Sequence, residues 1–147
     1  MRASSAAWLI VLVLAGYSLA LRDSHGAEIT GLKLRLTANK AVYAPREPIT
    51  LTLRVVNETS SPVRLSFPTS QRFDLVMQDG NAREVWRWSA GWVFAQMLGE
   101  ETLNPSGAEL RFEATARGNF PPGFYTVTGL SPALEGNLSA RTTITVR

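Results

Sequence analysis

Asp74, Asp79, Glu84, Glu109 and Glu113 are the side chains whose type suits them to proton transfer, and facing carboxylates are the chemistry they would support. They are scattered along the chain with no pairing signal. Composition closes the other common routes. There is no cysteine, which removes thiol nucleophiles, disulfides, thiolate zinc sites and iron–sulfur clusters. The single histidine, His25, leaves no site that needs two imidazoles, and it stands in a polar leader apart from the patterned region, where the usual acyl-transfer constellations cannot be built. The chain therefore reads as a non-enzyme, with no catalytic residue, metal ligand or cofactor. Its 15 Lys and Arg against 12 Asp and Glu leave a net charge of +3. All of the cations but Lys33 and Lys40 are arginines, and none forms a basic run, so nucleic acid is not an expected partner.

The elements that must position any contact residues start after a distinct N-terminal segment. Arg2 precedes an apolar stretch, Trp8 to Tyr17, which is followed by Ser18-Leu19-Ala20. A cationic start, about ten apolar residues and small residues before a cut describe a secretory signal peptide. The expected division is a signal peptide over 1–20, a flexible leader over 21–30 and a folded domain over 31–147. Cleavage after Ala27, or an uncleaved anchor, are the alternatives, and the anchor is the only expected membrane contact. The location expected is exported, periplasmic or extracellular.

From Ile29 onward apolar residues alternate with polar ones, and turn residues cut the pattern at short intervals, as in an all-β chain. Leu32, Leu34 and Leu36 share one face, as do Ile49, Leu51, Leu53 and Val55. Val63 to Phe67, Phe73 to Met77, Val85 to Ser89, Val93 to Leu98, Glu109 to Thr115, Phe124 to Thr128 and Ala140 to Val146 are further strand candidates. The connections are too short for helical crossovers, so the sheets must be mainly antiparallel. An immunoglobulin-like antiparallel β-sandwich of about eight or nine strands suits these lengths.

The hairpin at Asp79-Gly80-Asn81-Ala82 has the most readable register. A four-residue turn over Asp79 to Ala82 sets Asp74 opposite Arg87, Leu75 opposite Trp86 and Phe73 opposite Trp88. Matched cross-strand pairs of this kind contribute about 0.2–1 kcal/mol each. Trp86 and Trp88 then share a core-facing side. Trp92, in a turn after Ala90-Gly91, is the candidate for exposed contact. Gly99 to Ala108 reads as a longer irregular loop in which Leu103 is an apolar side chain able to fill a pocket, so Trp92 and Leu103 are the expected partner-binding anchors. Asn57-Glu58-Thr59 and Asn137-Leu138-Ser139 match the glycosylation sequon, and neither is expected to be modified.

Ser66-Phe67-Pro68-Thr69-Ser70-Gln71-Arg72-Phe73-Asp74-Leu75, Glu84-Val85-Trp86-Arg87-Trp88-Ser89 and Phe94-Ala95-Gln96, in this order, resemble the intracellular proteinase inhibitor family, the BsuPI domain. The resemblance runs from about Leu32 to Val146. Two stretches depart from the family pattern: Pro105-Ser106-Gly107-Ala108-Glu109, where a Pro-Gly-Glu turn is usual, and Thr115-Ala116, where Trp-Asp is usual. The motif residues Gln71, Phe73, Asp74, Trp86, Arg87, Trp88, Ser89, Phe94 and Gln96 read as the family's structural signature. The resemblance implies a small β-sandwich that binds a proteinase, a serine proteinase in the first instance, by protein–protein contact. The alternative is a non-inhibitory structural or ligand-binding module of the cell envelope, since sandwich folds host many functions.

Overall fold

A computed structural model describes residues 31–147. The expected signal peptide, its cleavage sites, the leader and His25 lie outside the described residues.

Ten strands and no helix make up the described chain. They are β1 (Leu32–Ala38), β2 (Val42–Tyr43), β3 (Ile49–Asn57), β4 (Val63–Phe67), β5 (Asp74–Gln78), β6 (Glu84–Arg87), β7 (Gly99–Leu103), β8 (Glu109–Ala116), β9 (Gly123–Ser131) and β10 (Leu138–Val146). They form a three-stranded sheet, β1-β3-β8, a five-stranded sheet, β2-β10-β9-β5-β6, and a two-stranded ribbon, β4-β7. Among the described residues β2 and β10 run parallel and all other pairs run antiparallel. The all-β sandwich expected from the alternation is the fold observed.

The period-two pattern explains how the layers meet. On β3 the buried set is Ile49, Leu51, Leu53, Val55 and Asn57, every second residue. Leu51 and Leu53 join Leu75, Met77, Val127 and Ile144 in the main core between the two larger sheets. A second cluster, with Val55, Leu65, Phe67, Leu103 and Leu138, fills the space under the β4-β7 ribbon. Leu53 of the facing sheet packs directly against Gly129 on β9. A Cβ built there would lie 2.4 Å from Leu53 Cδ1. Gly129→Ala should therefore destabilise the domain by about 1–3 kcal/mol through overpacking. A guanidinium chloride titration reads this as a lower midpoint at unchanged slope.

The outer face of the three-stranded sheet accounts for several of the scattered cations. Arg35, Arg54 and Arg111 stand side by side across β1, β3 and β8. Glu58, Glu109 and Glu113 offset them at 2.7, 3.9 and 3.1 Å. Exposed pairs of this kind are screened by solvent and contribute little to stability.

Two strand expectations are corrected. Val93 to Leu98 is not a strand. The strand lies further on, at Gly99–Leu103, inside the stretch read as an irregular loop, and it pairs with β4 from Val63↔Leu103 to Phe67↔Gly99. Leu103 is consequently 2% exposed, part of the second core cluster, and cannot serve as a contact anchor. Glu100 and Glu101 hid this strand, because an edge position facing solvent tolerates charge that a central strand would not.

Candidate functional site: an apolar loop on an aromatic column

The hairpin that carries the family-like motif is built differently from the four-residue turn expected. Asp79 and Arg83 close a three-residue loop, with Asp79 N–H donating to Arg83 O at 2.9 Å and Ala82 N–H to Asp79 O at 3.0 Å. Ala82 takes a left-handed φ of 60°, the third position of this turn type. The Asp79 carboxylate accepts the Asn81 and Arg83 N–H groups at 2.9 and 3.0 Å, which holds its pKa below the usual carboxylate range. One irregularity follows between Met77 and Gln78, where Val85 is left over on β6. The two single-residue offsets add, so Val76 faces Arg87 and Met77 faces Trp86. A shift of two leaves every side chain on its expected face. The contacts foreseen as directly opposite are made diagonally instead.

Asp74 is 7% exposed and receives four hydrogen bonds. Oδ1 accepts the N–H groups of Leu75 and Ser89 at 2.9 and 3.2 Å. Oδ2 accepts Ser89 Oγ–H at 2.8 Å and Arg87 Nη1–H at 2.6 Å. Glu84 holds the rest of the Arg87 guanidinium, at 3.0 and 2.8 Å, and the two acids together drive the Arg87 pKa further up. With its lone pairs occupied, Asp74 is structural: it fixes where the chain leaves β6. Gln71 likewise serves the backbone, donating Nε2–H to Phe73 O at 3.1 Å. Gln96 is exposed.

Beyond β6 the motif becomes a column of rings. Phe112 of β8 stacks on Phe73 with centroids 4.6 Å apart, and Phe73 on Trp88 at 4.0 Å. Trp88 carries Trp92 at 5.5 Å and Phe94 at 5.9 Å. The column starts in the main core and ends in the segment Ser89 to Leu98. Ser89 to Trp92 is a turn closed by Trp92 N–H to Ser89 O at 3.1 Å, with Gly91 at φ 82°, a position that favours glycine. Trp86 and Trp88 are half-buried against the core, on the side expected of them.

The segment is also pinned downstream. Ser70 N–H donates to Ala95 O at 3.0 Å, and Ala95 N–H donates to Ser70 Oγ at 2.9 Å. Next to it Gly99 lies against the Arg72 guanidinium, which also donates to Thr69 O at 2.9 Å and to Glu101 at 3.0 Å. Between these fixings the apolar side chains face outward. Trp92 is 60% exposed, as expected, and Val93 95%. Met97 and Leu98 are exposed as well. Ser70 was read only as part of the family-like motif, and Val93, Met97 and Leu98 were missed as site residues, because an apolar run after a turn reads as a strand. The signal against a strand was its lack of alternation, between Gly91 and Gly99.

The family model described as intracellular proteinase inhibitor, BsuPI, matches residues 36–135, well over half of the chain. The chain belongs to this family. The motif residues on the hairpin and the aromatic column are thus part of a BsuPI domain, in a family named for proteinase inhibition rather than for catalysis. Two solved structures share the fold. The sporulation control protein Spo0M from Bacillus subtilis aligns with a TM-score of 0.52 at 19% identity, over 80% of this chain and 49% of that one. The C-terminal domain of wzt aligns with a TM-score of 0.50 at 9% identity, over 80% of this chain and 74% of that one. The BsuPI chain thus spans about half the length of Spo0M. A comparison with curated proteins gives no match.

Proposed function

We propose that this chain is an exported BsuPI inhibitor domain that blocks a serine proteinase by protein–protein contact, with Ser89 to Leu98 as the surface it offers. One observation carries this reading: large apolar side chains, Trp92, Val93, Met97 and Leu98, stand exposed on a segment that an aromatic column and Ser70 hold in place. Soluble monomers rarely leave such side chains together in water without a partner for them. A loop ordered in advance also avoids much of the entropy cost of binding, about 0.5–1.5 kcal/mol for each side chain that need not be immobilised.

Inhibition titrations against purified serine proteinases test the reading. The wild-type domain should inhibit, and Trp92→Ala should weaken the complex by about 2 kcal/mol or more, the loss typical of a central aromatic anchor. Unchanged inhibition by a folded Trp92→Ala domain would remove this loop from the contact.

Export rests on Arg2 followed by the apolar stretch Trp8 to Tyr17 and the small residues after it, although the family's description reads intracellular. The mature protein should begin at Leu21 or Glu28 and be recovered outside the cytoplasmic membrane. Terminal sequencing that finds Met1 or Arg2 on a cytosolic protein would overturn the assignment.

A further inference from the structure

We propose that Val93 is the side chain inserted into the specificity pocket of the target, that the Val93–Phe94 peptide bond lies at the proteinase's reacting centre, and that the target is a proteinase whose pocket takes a small aliphatic side chain. The inference rests on the inhibitory reading above and narrows it to a residue and a class of partner.

Three observations converge on Val93. The first is projection: it is 95% exposed, more than any other large apolar residue among those described. Its neighbours on both sides are fixed to the domain, Trp92 by stacking at 5.5 Å from Trp88 and Phe94 by packing at 5.9 Å from the same ring. The second is backbone availability. After the turn that Trp92 closes, the chain makes no further turn or bend up to Ala95, and among the described residues the N–H and C=O groups of Val93 and Phe94 find no partner. A segment with free main-chain groups can be taken up by a substrate-binding edge as an added strand. The third is charge. Arg72, the cation beside the loop, is committed to Thr69 O and Glu101, so nothing here offers a basic side chain to a pocket. A valine matches an uncharged pocket of modest depth.

The same geometry explains how such a segment would inhibit rather than be consumed. Hydrolysis adds water across the Val93–Phe94 bond, leaving a carboxylate on Val93 and an ammonium group on Phe94. Trp88 holds a ring on each side of that bond, and Ser70 grips Ala95 beyond it. The new ends stay together in the cleft, so re-formation of the bond, with return of the water, competes with release.

The test uses the folded domain against three purified serine proteinases with elastase-like, trypsin-like and subtilisin-like pockets. The wild type should inhibit the elastase-like enzyme most strongly and leave the trypsin-like enzyme free. Val93→Asp should lose about a hundredfold or more in affinity, as for a central anchor replaced by a charge that an apolar pocket cannot partner. Val93→Arg should transfer inhibition to the trypsin-like enzyme. Because Val93 lies in solvent, both variants should melt like the wild type. Prolonged incubation should give one slow cleavage, with Phe94 as the new N-terminal residue. If the wild type inhibits none of the three, the inhibitory reading falls and this inference with it. If the wild type inhibits but both variants match it, if the trypsin-like enzyme is the one inhibited, or if cleavage maps elsewhere, only the role of Val93 is overturned.

Discussion

Trp88→Ala should cost the domain about 3 kcal/mol and, in the same variant, release the loop it supports. The stability loss follows from truncating a half-buried ring that stacks on Phe73 at 4.0 Å and packs against the main core. Aromatic truncation in a core costs about 3–5 kcal/mol, and partial exposure places Trp88 at the lower end. The second effect is what separates this site from an ordinary core position. Trp92 and Phe94 both rest on the Trp88 ring, so removing it frees the two residues that flank Val93. Thermal melts report the first effect. Under conditions where the variant remains folded, limited proteolysis between Ser89 and Leu98 reports the second. A destabilised variant whose loop resists cleavage as the wild type does would show that Ser70 alone holds the segment.

Asn57→Ala should be at least as damaging, although it removes no apolar surface of consequence. Asn57 is 0% exposed, at the end of β3. Its Nδ2 group donates to the carbonyls of Ser61, Leu103 and Asn104 at 2.9, 3.0 and 3.1 Å, and its Oδ1 accepts from Thr59 N–H and Oγ1–H at 2.9 and 2.7 Å. Alanine takes this partner from the buried Leu103 carbonyl, the Asn104 carbonyl and Thr59 N–H, while Thr59 Oγ1–H and Ser61 O keep each other at 2.8 Å. Each buried group so stranded costs about 1–3 kcal/mol, which makes a total of about 3 kcal/mol or more reasonable. A urea titration of Asn57→Ala reads the loss directly. Asn57→Asp keeps Oδ1 as an acceptor but replaces three amide contacts with oxygen facing oxygen, so it should not rescue. A midpoint unchanged in Asn57→Ala would mean that the turn after β7 docks on its backbone bonds alone. The same contacts engage the side-chain amide of this sequon, which would have to give them up to be modified.

How much was legible follows from what the chain pattern records. Strand existence and facing were readable at β1, β3, β4, β8 and β10, because one buried face forces period two. The pairing of the Asp74 and Arg87 charges and of the Phe73 and Trp88 rings was readable, since both depend on facing. The register was not: it turned on a left-handed Ala82 and an extra residue at Val85, which no side-chain match between strands encodes. The loop and strand between Trp92 and Leu103 were exchanged for a related reason. Hydrophobicity alone puts Val93 and Leu98 inside and leaves Glu100 and Glu101 in a loop, whereas the chain does the reverse. A functional surface is where the usual rule of burial fails, so the misreading fell on the residues that matter for contact.

The position of β10 bears on the order in which the molecule can assemble. It is an interior strand of its sheet, with β9 on one side and, on the other, β2, which it meets through Thr145 N–H to Ala41 O at 2.9 Å and Arg147 N–H to Tyr43 O at 3.0 Å. A chain that emerges N-terminus first can complete the three-stranded sheet once Ala116 is out. The other sheet must stay split, with one edge of β9 and the edge of β2 unpaired, until Val146 arrives. The β2–β10 contacts, between partners so distant in sequence, form late and slowly, because chain entropy is lost before they return anything. Until then Tyr43, Tyr125 and Val127, buried in the finished domain, lack the Ile144 and Val146 side chains of β10 that share their core cluster.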